Sequence, residues 1–211
     1  LPSNYLDPVP EVDILVIAAH PGDAELACGG TLLDAATRGE RTAILDLSPG
    51  DITYPLKKEE MLAAAAQAAG ILKLTWRGNL HYPDGRLENS LPARMTIAGE
   101  IRRLRPRIVL VPHPGGDHPD QAATSSLAAE SAFLCSLGRL DDSIPAHRPQ
   151  AVYQFLMPGV AVPATFTVAI KGHLEQKNQA LACYGAATRR AVGRSEAFFS
   201  GAPLRFAALP R

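Results

Sequence analysis

Residues 12–23 read Val-Asp-Ile-Leu-Val-Ile-Ala-Ala-His-Pro-Gly-Asp, an apolar run that ends in a polar turn. A continuous apolar run of this length is typical of a parallel strand that is covered on both faces. Apolar residues then recur at helical spacing, and Gly39 follows at the position of a helix C-terminus. A second apolar run, residues 42–47, ends at another turn. The order strand, helix, strand predicts a βαβ unit with parallel strands and a right-handed crossover.

The same alternation continues along most of the chain. The pattern predicts further helices over residues 58–69, up to residue 104, and over 122–137 and 172–184. It predicts further strands over residues 72–76, 108–111, 151–156 and 165–170, and it assigns nothing to residues 185–211. We therefore expect residues 1–211 to form one α/β domain, with a three-layer, Rossmann-like, mainly parallel sheet and helices on both faces.

The composition restricts the class of partner. The 211 residues include 21 basic and 21 acidic side chains, so the formal net charge is zero. Nucleic-acid binders and membrane-surface proteins depend on concentrated positive charge, and a membrane helix needs about 18 or more consecutive apolar residues. The three cysteines lie far apart, which disfavours a disulfide framework and a Cys-rich zinc module. We expect a cytoplasmic protein that acts on a small molecule, without a nucleic-acid or membrane partner.

Histidine and carboxylate residues follow two of the predicted strands. His20 and Asp23 come after the first strand, and residues 113–121, with two further histidines, come after the fourth. Ligands of open α/β sheets bind beyond the carboxyl ends of the strands, where these two loops would meet. Together they could supply the three protein ligands of a mononuclear zinc site whose fourth position holds water. Either loop alone is better explained by an ordinary turn or a helix N-cap.

Three segments resemble motifs of the LmbE-like, PIG-L family of zinc-dependent N-deacetylases. Residues 19–26 read AHPGDAEL and are followed by GGTL at 29–32, similar to the family's A-H-P-D-D-x-E and G-G-T-L. Residues 111–121 are similar to the second motif, which ends H-P-D-H. Residues 83–87, PDGRL, resemble a segment of the branch that deacetylates the N-acetylglucosaminyl malate precursor of bacillithiol. On these segments the chain is identified as a member of the family.

The resemblance implies a hydrolase in which zinc polarises an acetamide carbonyl and lowers the pKa of a bound water. His20 and Asp23 match two zinc ligands, and Gln121 takes the place of the third, which is normally His. His118 matches the histidine that stabilises the oxyanion, and Asp120 matches the carboxylate that orients a histidine of the site. The resemblance also implies zinc as cofactor, an N-acetylated sugar as substrate and a homo-oligomer, trimeric or hexameric.

Two positions depart from the family pattern. Gly22 stands where the family has the general-base Asp, and loss of a positioned base costs about 10² to 10⁴ in rate. Gln121 offers an amide oxygen, which is a poorer zinc ligand than imidazole. Asp117 or Glu25 could replace the base, although Glu25 is expected to project to a different side of its helix. His113 could replace the missing ligand.

Two functions remain open from the sequence. The first is an N-deacetylase that acts on an N-acetylglucosamine-type conjugate, with Arg86, His113 and Asp117 as candidate substrate contacts. The second is a family member that has lost its metal and base and acts as a sugar-binding or assembly protein. A nucleotide binder is disfavoured, because neither G-x-G-x-x-G nor a P-loop follows the first strand.

Overall fold

The computed structural model describes residues 9–140, 143–185 and 195–200. Within these residues seven β-strands form one sheet, connected by five α-helices and one 3-10 helix. In chain order the elements are β1 (Ile14–Ala18), α1 (Asp23–Thr37), β2 (Thr42–Asp46), α2 (Lys58–Ile71), β3 (Trp76–Asn79), α3 (Leu91–Leu104), β4 (Ile108–Pro112), α4 (Pro119–Leu134), β5 (Ala151–Phe155), β6 (Phe166–Ala169), the 3-10 helix (Lys171–His173), α5 (Leu174–Ala182) and β7 (Ser195–Phe199). No helix in the described part of the chain is long and apolar enough to cross a membrane.

The sheet has the strand order β3-β2-β1-β4-β5-β7-β6. Its first five strands pair in parallel, and β7 lies antiparallel between β5 and β6. The predicted mainly parallel α/β sheet is confirmed. From β1 the chain proceeds through β2 and β3 on one side and returns to β4 on the other, so the order reverses between β1 and β4. Such a reversal leaves a crevice at the carboxyl ends of the two strands.

The alternation of β1 divides the core into two layers. Ile14, Val16 and Ala18 pack with buried residues of α1, α2 and α5, and the odd-numbered residues 15–19 pack with those of α3 and α4. All five residues of β1 are buried, because helices cover both faces of the sheet. The predicted helices on both faces are therefore confirmed, and the apolar run at residues 12–19 has its physical cause here.

Two predicted helix ends have the expected backbone. Gly39 follows α1 with φ of 81°, a conformation that glycine adopts without steric cost. Arg105 ends α3 in the left-handed region with φ of 51°, directly before Pro106, whose ring disfavours the helical conformation at the preceding residue.

Two strands differ from the prediction. The strand predicted at residues 72–76 lies further along the chain, as β3 at Trp76–Asn79. The reason is that α2 continues to Ile71 and the buried Leu72 caps that helix. Arg77 makes β3 look polar in sequence, although its guanidinium pairs with Asp46 of the neighbouring strand. Strand β7 lies in the tail that the sequence pattern left unassigned; residues 186–194 and 201–211 of that tail lie outside the described residues.

Helix α4 begins three residues earlier than predicted. Its first residue is Pro119, a favoured residue at this position, and His118 is the N-cap. Asp120 and Gln121 therefore belong to the first helical turn rather than to the preceding loop.

Candidate functional site

The candidate site lies at the N-termini of α1 and α4, which follow the neighbouring strands β1 and β4. Gly22 is the N-cap of α1 and Asp23 is its first residue. His118 is the N-cap of α4, and Asp120 and Gln121 lie in its first turn. Unpaired backbone N–H groups make a helix N-terminus favourable for carboxylates. The fold thus brings two carboxylates to one crevice.

His20 is fully buried among three carboxylates. Its Nε2 lies 2.9 Å from Oδ1 of Asp84 and 3.1 Å from Oδ2 of Asp120. Its Nδ1 lies 3.5 Å from Oδ2 of Asp23 and has no hydrogen-bond partner. Burial lowers the pKa of His20, but the nearby charge of Asp23, together with the interactions with Asp84 and Asp120, outweighs burial and raises the pKa to about 9.

Asp23 connects His20 to Gln121. The Nε2 of Gln121 donates to Oδ1 of Asp23 at 3.2 Å, and the phenol of Tyr54 donates to the same oxygen at 3.4 Å. The backbone N–H of His20 donates to Oδ2 of Asp23 at 3.2 Å. A Cβ at position 116 would collide with Oε1 of Gln121, so Gly116 allows this amide to occupy its position. The three predicted metal ligands therefore lie side by side.

These residues fit a divalent cation such as zinc. The unpartnered Nδ1 of His20 faces the carboxylate of Asp23 in a buried crevice. The other ring nitrogen is held by two carboxylates, as is usual for a metal-bound histidine whose remote N–H is fixed by a second residue. Gln121 turns its Nε2 toward Asp23, so its amide would have to flip to offer the oxygen as a ligand, and the donor set is weaker than one with a second histidine.

A second group of possible ligands shares His20. Nitrogen and carboxylate atoms of His20, His118 and Asp120 lie within 4.8 Å of one another. The carboxylate of Asp120, however, already accepts the backbone N–H groups of Gly85 at 2.8 Å and Leu87 at 3.1 Å. Both ring nitrogens of His118 also have partners. The unpartnered Nδ1 of His20 therefore favours the first group.

Asp84 is a site residue that sequence reasoning missed. It lies in the PDGRL segment, and its side chain is buried. Its carboxylate accepts hydrogen bonds from the backbone N–H of Ile52 at 2.7 Å, from that of Thr53 at 2.6 Å and from the Thr53 hydroxyl at 2.9 Å. Burial raises the pKa of Asp84, but these hydrogen bonds and the charge of His20 lower it below the ordinary value. Because the partners are distant in sequence, no local signal distinguished Asp84 from an ordinary turn residue.

Hydrogen bonds hold the His118 ring in one orientation. Its Nδ1 accepts the backbone N–H of Asp120 at 3.1 Å, so in the neutral ring Nε2 carries the proton. Nε2 lies 3.1 Å from the hydroxyl oxygen of Thr53, which itself donates to Asp84. The rings of His118 and His20 meet edge to face, with centroids 4.7 Å apart. A continuous chain of contacts therefore runs from His118 through Thr53 and Asp84 to His20.

A pocket of about 450 Å³ opens beside these residues. Its polar lining consists of Thr53, Tyr54, Asp117, His118 and Gln121, and Gly22 lies in the same wall. Of the three predicted substrate contacts, Asp117 lines the pocket and the other two do not. His113 accepts the N–H of Gly115 on Nδ1, and its ring packs against Phe199. Arg86 is exposed to solvent, outside the pocket lining.

The backbone at Gly22 explains why glycine is suited to this position. Its φ of 101° lies in the region that L side chains rarely adopt. An added Cβ would have Tyr184 at 3.9 Å as its near neighbour, so the constraint is conformational rather than steric.

Glu25 points away from the pocket and does not replace the missing base. Its carboxylate accepts the Gly22 N–H at 3.1 Å, the Arg77 guanidinium at 2.6 Å and the Tyr184 phenol at 2.6 Å. Burial raises the pKa of Glu25, but the charge of Arg77 outweighs it and lowers the pKa. As expected, Glu25 projects to a different side of α1 from the pocket.

Comparison with known proteins decides the family. The model of the family described as PIG-L, GlcNAc-PI de-N-acetylase, matches residues 15–132, more than half of the chain. The chain belongs to this family. The predicted resemblance is thereby confirmed.

This PIG-L family chain is similar to a curated enzyme, diacetylchitobiose deacetylase of Thermococcus kodakarensis, with 27% identity over 157 residues. This match covers 66% of the chain and 58% of the relative, so the chain spans less than two thirds of that enzyme's length.

Two solved structures extend the comparison. The conserved protein TT1542 from Thermus thermophilus has 33% identity and a TM-score of 0.83, with 95% of this chain and 99% of that chain covered. GalB, the 4-carboxy-2-hydroxymuconate hydratase of Pseudomonas putida, has 17% identity and a TM-score of 0.75, with 96% and 97% covered. At 17% identity the likeness concerns the fold alone. The fold of the PIG-L family therefore accompanies different reactions, and the reaction has to be argued from the site.

Proposed function

We propose that the protein is a metal-dependent N-deacetylase that hydrolyses the acetamide of an N-acetylated amino sugar. Membership of the PIG-L family and the similarity to a diacetylchitobiose deacetylase support this class of reaction. The observation that carries the proposal is the unpartnered Nδ1 of the buried His20, which faces Asp23 beside a pocket of ligand size.

His20, Asp23 and Gln121 would hold a zinc ion. When bound, zinc supplies a Lewis acid for the acetamide carbonyl and lowers the pKa of a water molecule. Asp84 and Asp120 orient the His20 ring so that Nδ1 is available as a ligand atom.

Two residues of the pocket wall would stabilise the oxyanion and accept the proton of the attacking water. We assign to His118 the stabilisation of the oxyanion, because the family resemblance implies this role and the residue lines the pocket. Asp117 is exposed, lines the same pocket and makes no ion pair with the residues that the structure describes. We assign to it the role of base through a water molecule, since Gly22 has no side chain to accept a proton.

The experiment measures acetate released from N-acetylglucosamine and from N,N'-diacetylchitobiose, with and without zinc. We expect slow, zinc-dependent release by the natural chain. The double variant Gly22→Asp, Gln121→His should raise the rate by about 10² or more, since it restores a side-chain base and an imidazole ligand. The left-handed backbone at position 22 should cost this variant about 1 to 3 kcal/mol of stability.

The matched control is Gly22→Ala, Gln121→His, which carries the same backbone strain without the carboxylate. If both double variants bind zinc but neither releases acetate, the reaction assignment is wrong. That result would favour the alternative of a sugar-binding protein. A cytoplasmic location remains a proposal from the composition, and a trimeric or hexameric assembly remains a proposal from the family resemblance. Light scattering of the purified chain tests the second.

A further inference from the structure

We infer that the substrate carries an uncharged, apolar aglycone that packs against an apolar wall of the pocket, rather than an anionic group such as malate. The inference rests on the proposed N-deacetylase function and names the substrate class. The apolar wall consists of six lining residues: Leu26, Pro55, Met157, Pro158, Val160 and Leu181.

The apolar wall is built by four separate parts of the fold. Leu26 lies one turn into α1, where its N–H donates to the carbonyl of Gly22 at 2.9 Å. Pro55 follows the polar pocket residues Thr53 and Tyr54. Residues 157–160 form the turn after β5, and Leu181 lies on α5. Since the metal ligand Gln121 lines the same pocket, a group bound to the apolar wall would belong to the molecule whose acetamide reaches the metal centre.

The charges around the pocket disfavour an anionic aglycone. Among the described residues, no Lys or Arg lines the pocket, whereas Asp117 contributes a carboxylate to it. Arg86, the basic residue of the bacillithiol-type segment, lies exposed outside the lining. Among the described lining residues, a carboxylate on the aglycone would therefore lose water and meet a like charge without a cation to pair with, which is costly. An alkyl or aryl group would instead gain from burial against the apolar wall.

The pocket is large enough for a sugar with a substituent. Its volume of about 450 Å³ lies within the range of ordinary small-molecule sites. Such sites are mostly apolar with a few convergent polar groups, and here His118 contacts Thr53 while Tyr54 and Gln121 share the carboxylate of Asp23.

The test compares three glycosides that differ in the aglycone: methyl, hexyl and malyl. Binding of the glucosaminides to the zinc-loaded protein is measured by calorimetry, and kcat/KM is measured with their N-acetyl forms. Each buried methylene improves affinity about fourfold. We therefore expect a Kd for the hexyl glycoside at least about tenfold below that for the methyl glycoside, with the malyl glycoside binding weakest. Equal affinities, or tightest binding of the malyl glycoside, would overturn the inference.

A matched pair of variants locates the effect. Val160→Thr replaces a methyl by a hydroxyl of similar shape in the apolar wall, and Val168→Thr makes the same change on β6, outside the pocket lining. We expect Val160→Thr to reduce the hexyl-to-methyl affinity ratio about fourfold, the equivalent of one buried methylene, and Val168→Thr to leave the ratio unchanged. An unchanged ratio in Val160→Thr would contradict the position of the aglycone.

The outcomes separate this inference from the proposed function. If no glycoside is hydrolysed but the hexyl compound binds more tightly, the reaction is wrong and the apolar wall stands. If all three are hydrolysed with equal kcat/KM, the reaction stands and the inference fails. If none binds, both are wrong.

Discussion

At the level of single residues, Asp84 and Thr53 hold the rings of His20 and His118 in their orientations. Asp84 contacts His20 and accepts three hydrogen bonds from Ile52 and Thr53, and the hydroxyl of Thr53 also contacts His118. Thr53 is thus a positioning residue for His118. It acts through the orientation of the ring and has no assigned contact with the reacting atoms.

Replacing Thr53 tests this positioning role. Thr53→Val removes the hydroxyl and keeps the shape, so His118 loses the partner of its Nε2. We expect kcat to fall about fivefold to tenfold, the equivalent of one hydrogen bond, with little change in KM. Long-range ¹H–¹⁵N spectra should show a shifted Nε2 resonance of His118, because Nε2–H loses its partner while the Asp120 N–H keeps the tautomer fixed.

Two controls accompany the Thr53 variant. Thr53→Ser should restore kcat and the His118 spectrum, because it keeps the hydroxyl. Thr96→Val, which removes a hydroxyl bonded to the carbonyl of Pro92 on α3, should leave both unchanged. An unchanged His118 Nε2 resonance in Thr53→Val would contradict the contact on which the positioning role rests.

At the scale of elements, β7 is fastened to the middle of α1 by one carboxylate. Glu196 accepts the backbone N–H groups of Gly30 at 2.9 Å and Thr31 at 2.7 Å, and the ammonium of Lys177 at 2.6 Å. Both Glu196 and Lys177 are buried. A Cβ at Gly30 would lie 2.6 Å from the side chain of Ile170, so only glycine allows this approach.

Breaking this buried pair should destabilise the protein strongly. Glu196→Gln leaves the Lys177 charge without a partner, and we expect a loss of about 3 to 5 kcal/mol in the free energy of unfolding, measured in urea. Glu196→Gln combined with Lys177→Met should recover part of the loss.

An exposed ion pair provides the comparison for Glu196. Glu130→Gln at the partly exposed pair with Arg94 should change the free energy of unfolding by about 1 kcal/mol or less. Similar effects for Glu130→Gln and Glu196→Gln would show that the buried pair does not fasten β7 to α1.

The sequence predicted the elements whose pattern reflects burial and missed those whose partners are distant. The run at 12–19 is apolar because β1 is covered on both faces, so the continuous apolar run was enough to predict the strand. Strand β3 was misplaced because a charged residue such as Arg77 suggests an exposed position. Its side chain is buried because it pairs with Asp46 in a neighbouring strand. His20 was singled out by its position after the first strand and Gln121 by motif resemblance. Asp84 gains its role from residues 52, 53 and 20, which no local pattern connects.

At the scale of the whole molecule, the site results from the reversal of strand order between β1 and β4. The reversal brings the first turns of α1 and α4 together, and loops from both sides complete the pocket. A hydratase has the same overall fold, so the chemistry depends on the residues carried by these loops.

His147 connects the end of α4 to the segment that precedes β4, and its titration should make the free energy of unfolding depend on pH. His147 donates its backbone N–H to the carbonyl of Cys135 at 3.0 Å, and its Nε2 lies 2.7 Å from the carbonyl of Pro106. Burial lowers the pKa of His147, aided by the charge of Arg105 and opposed by the hydrogen bond to Pro106. A lowered folded-state pKa means that the unfolded chain takes up a proton first.

The contribution of His147 to stability is therefore present above about pH 6.5 and is lost as the pH falls toward the folded-state pKa. The free energy of unfolding of the natural chain should decrease more between pH 7 and 5 than that of His147→Asn, as measured by urea unfolding at each pH. Parallel pH profiles for the two chains would show that His147 titrates alike in the folded and unfolded states.

Calorimetric titration of the metal-free protein with zinc decides whether His20, Asp23 and Gln121 form a metal site. We expect one zinc ion per chain, with tighter binding in Gln121→His, because imidazole is a better ligand than an amide. Zinc binding that is absent from both chains, or that is unaffected by Gln121→His, would contradict this metal site.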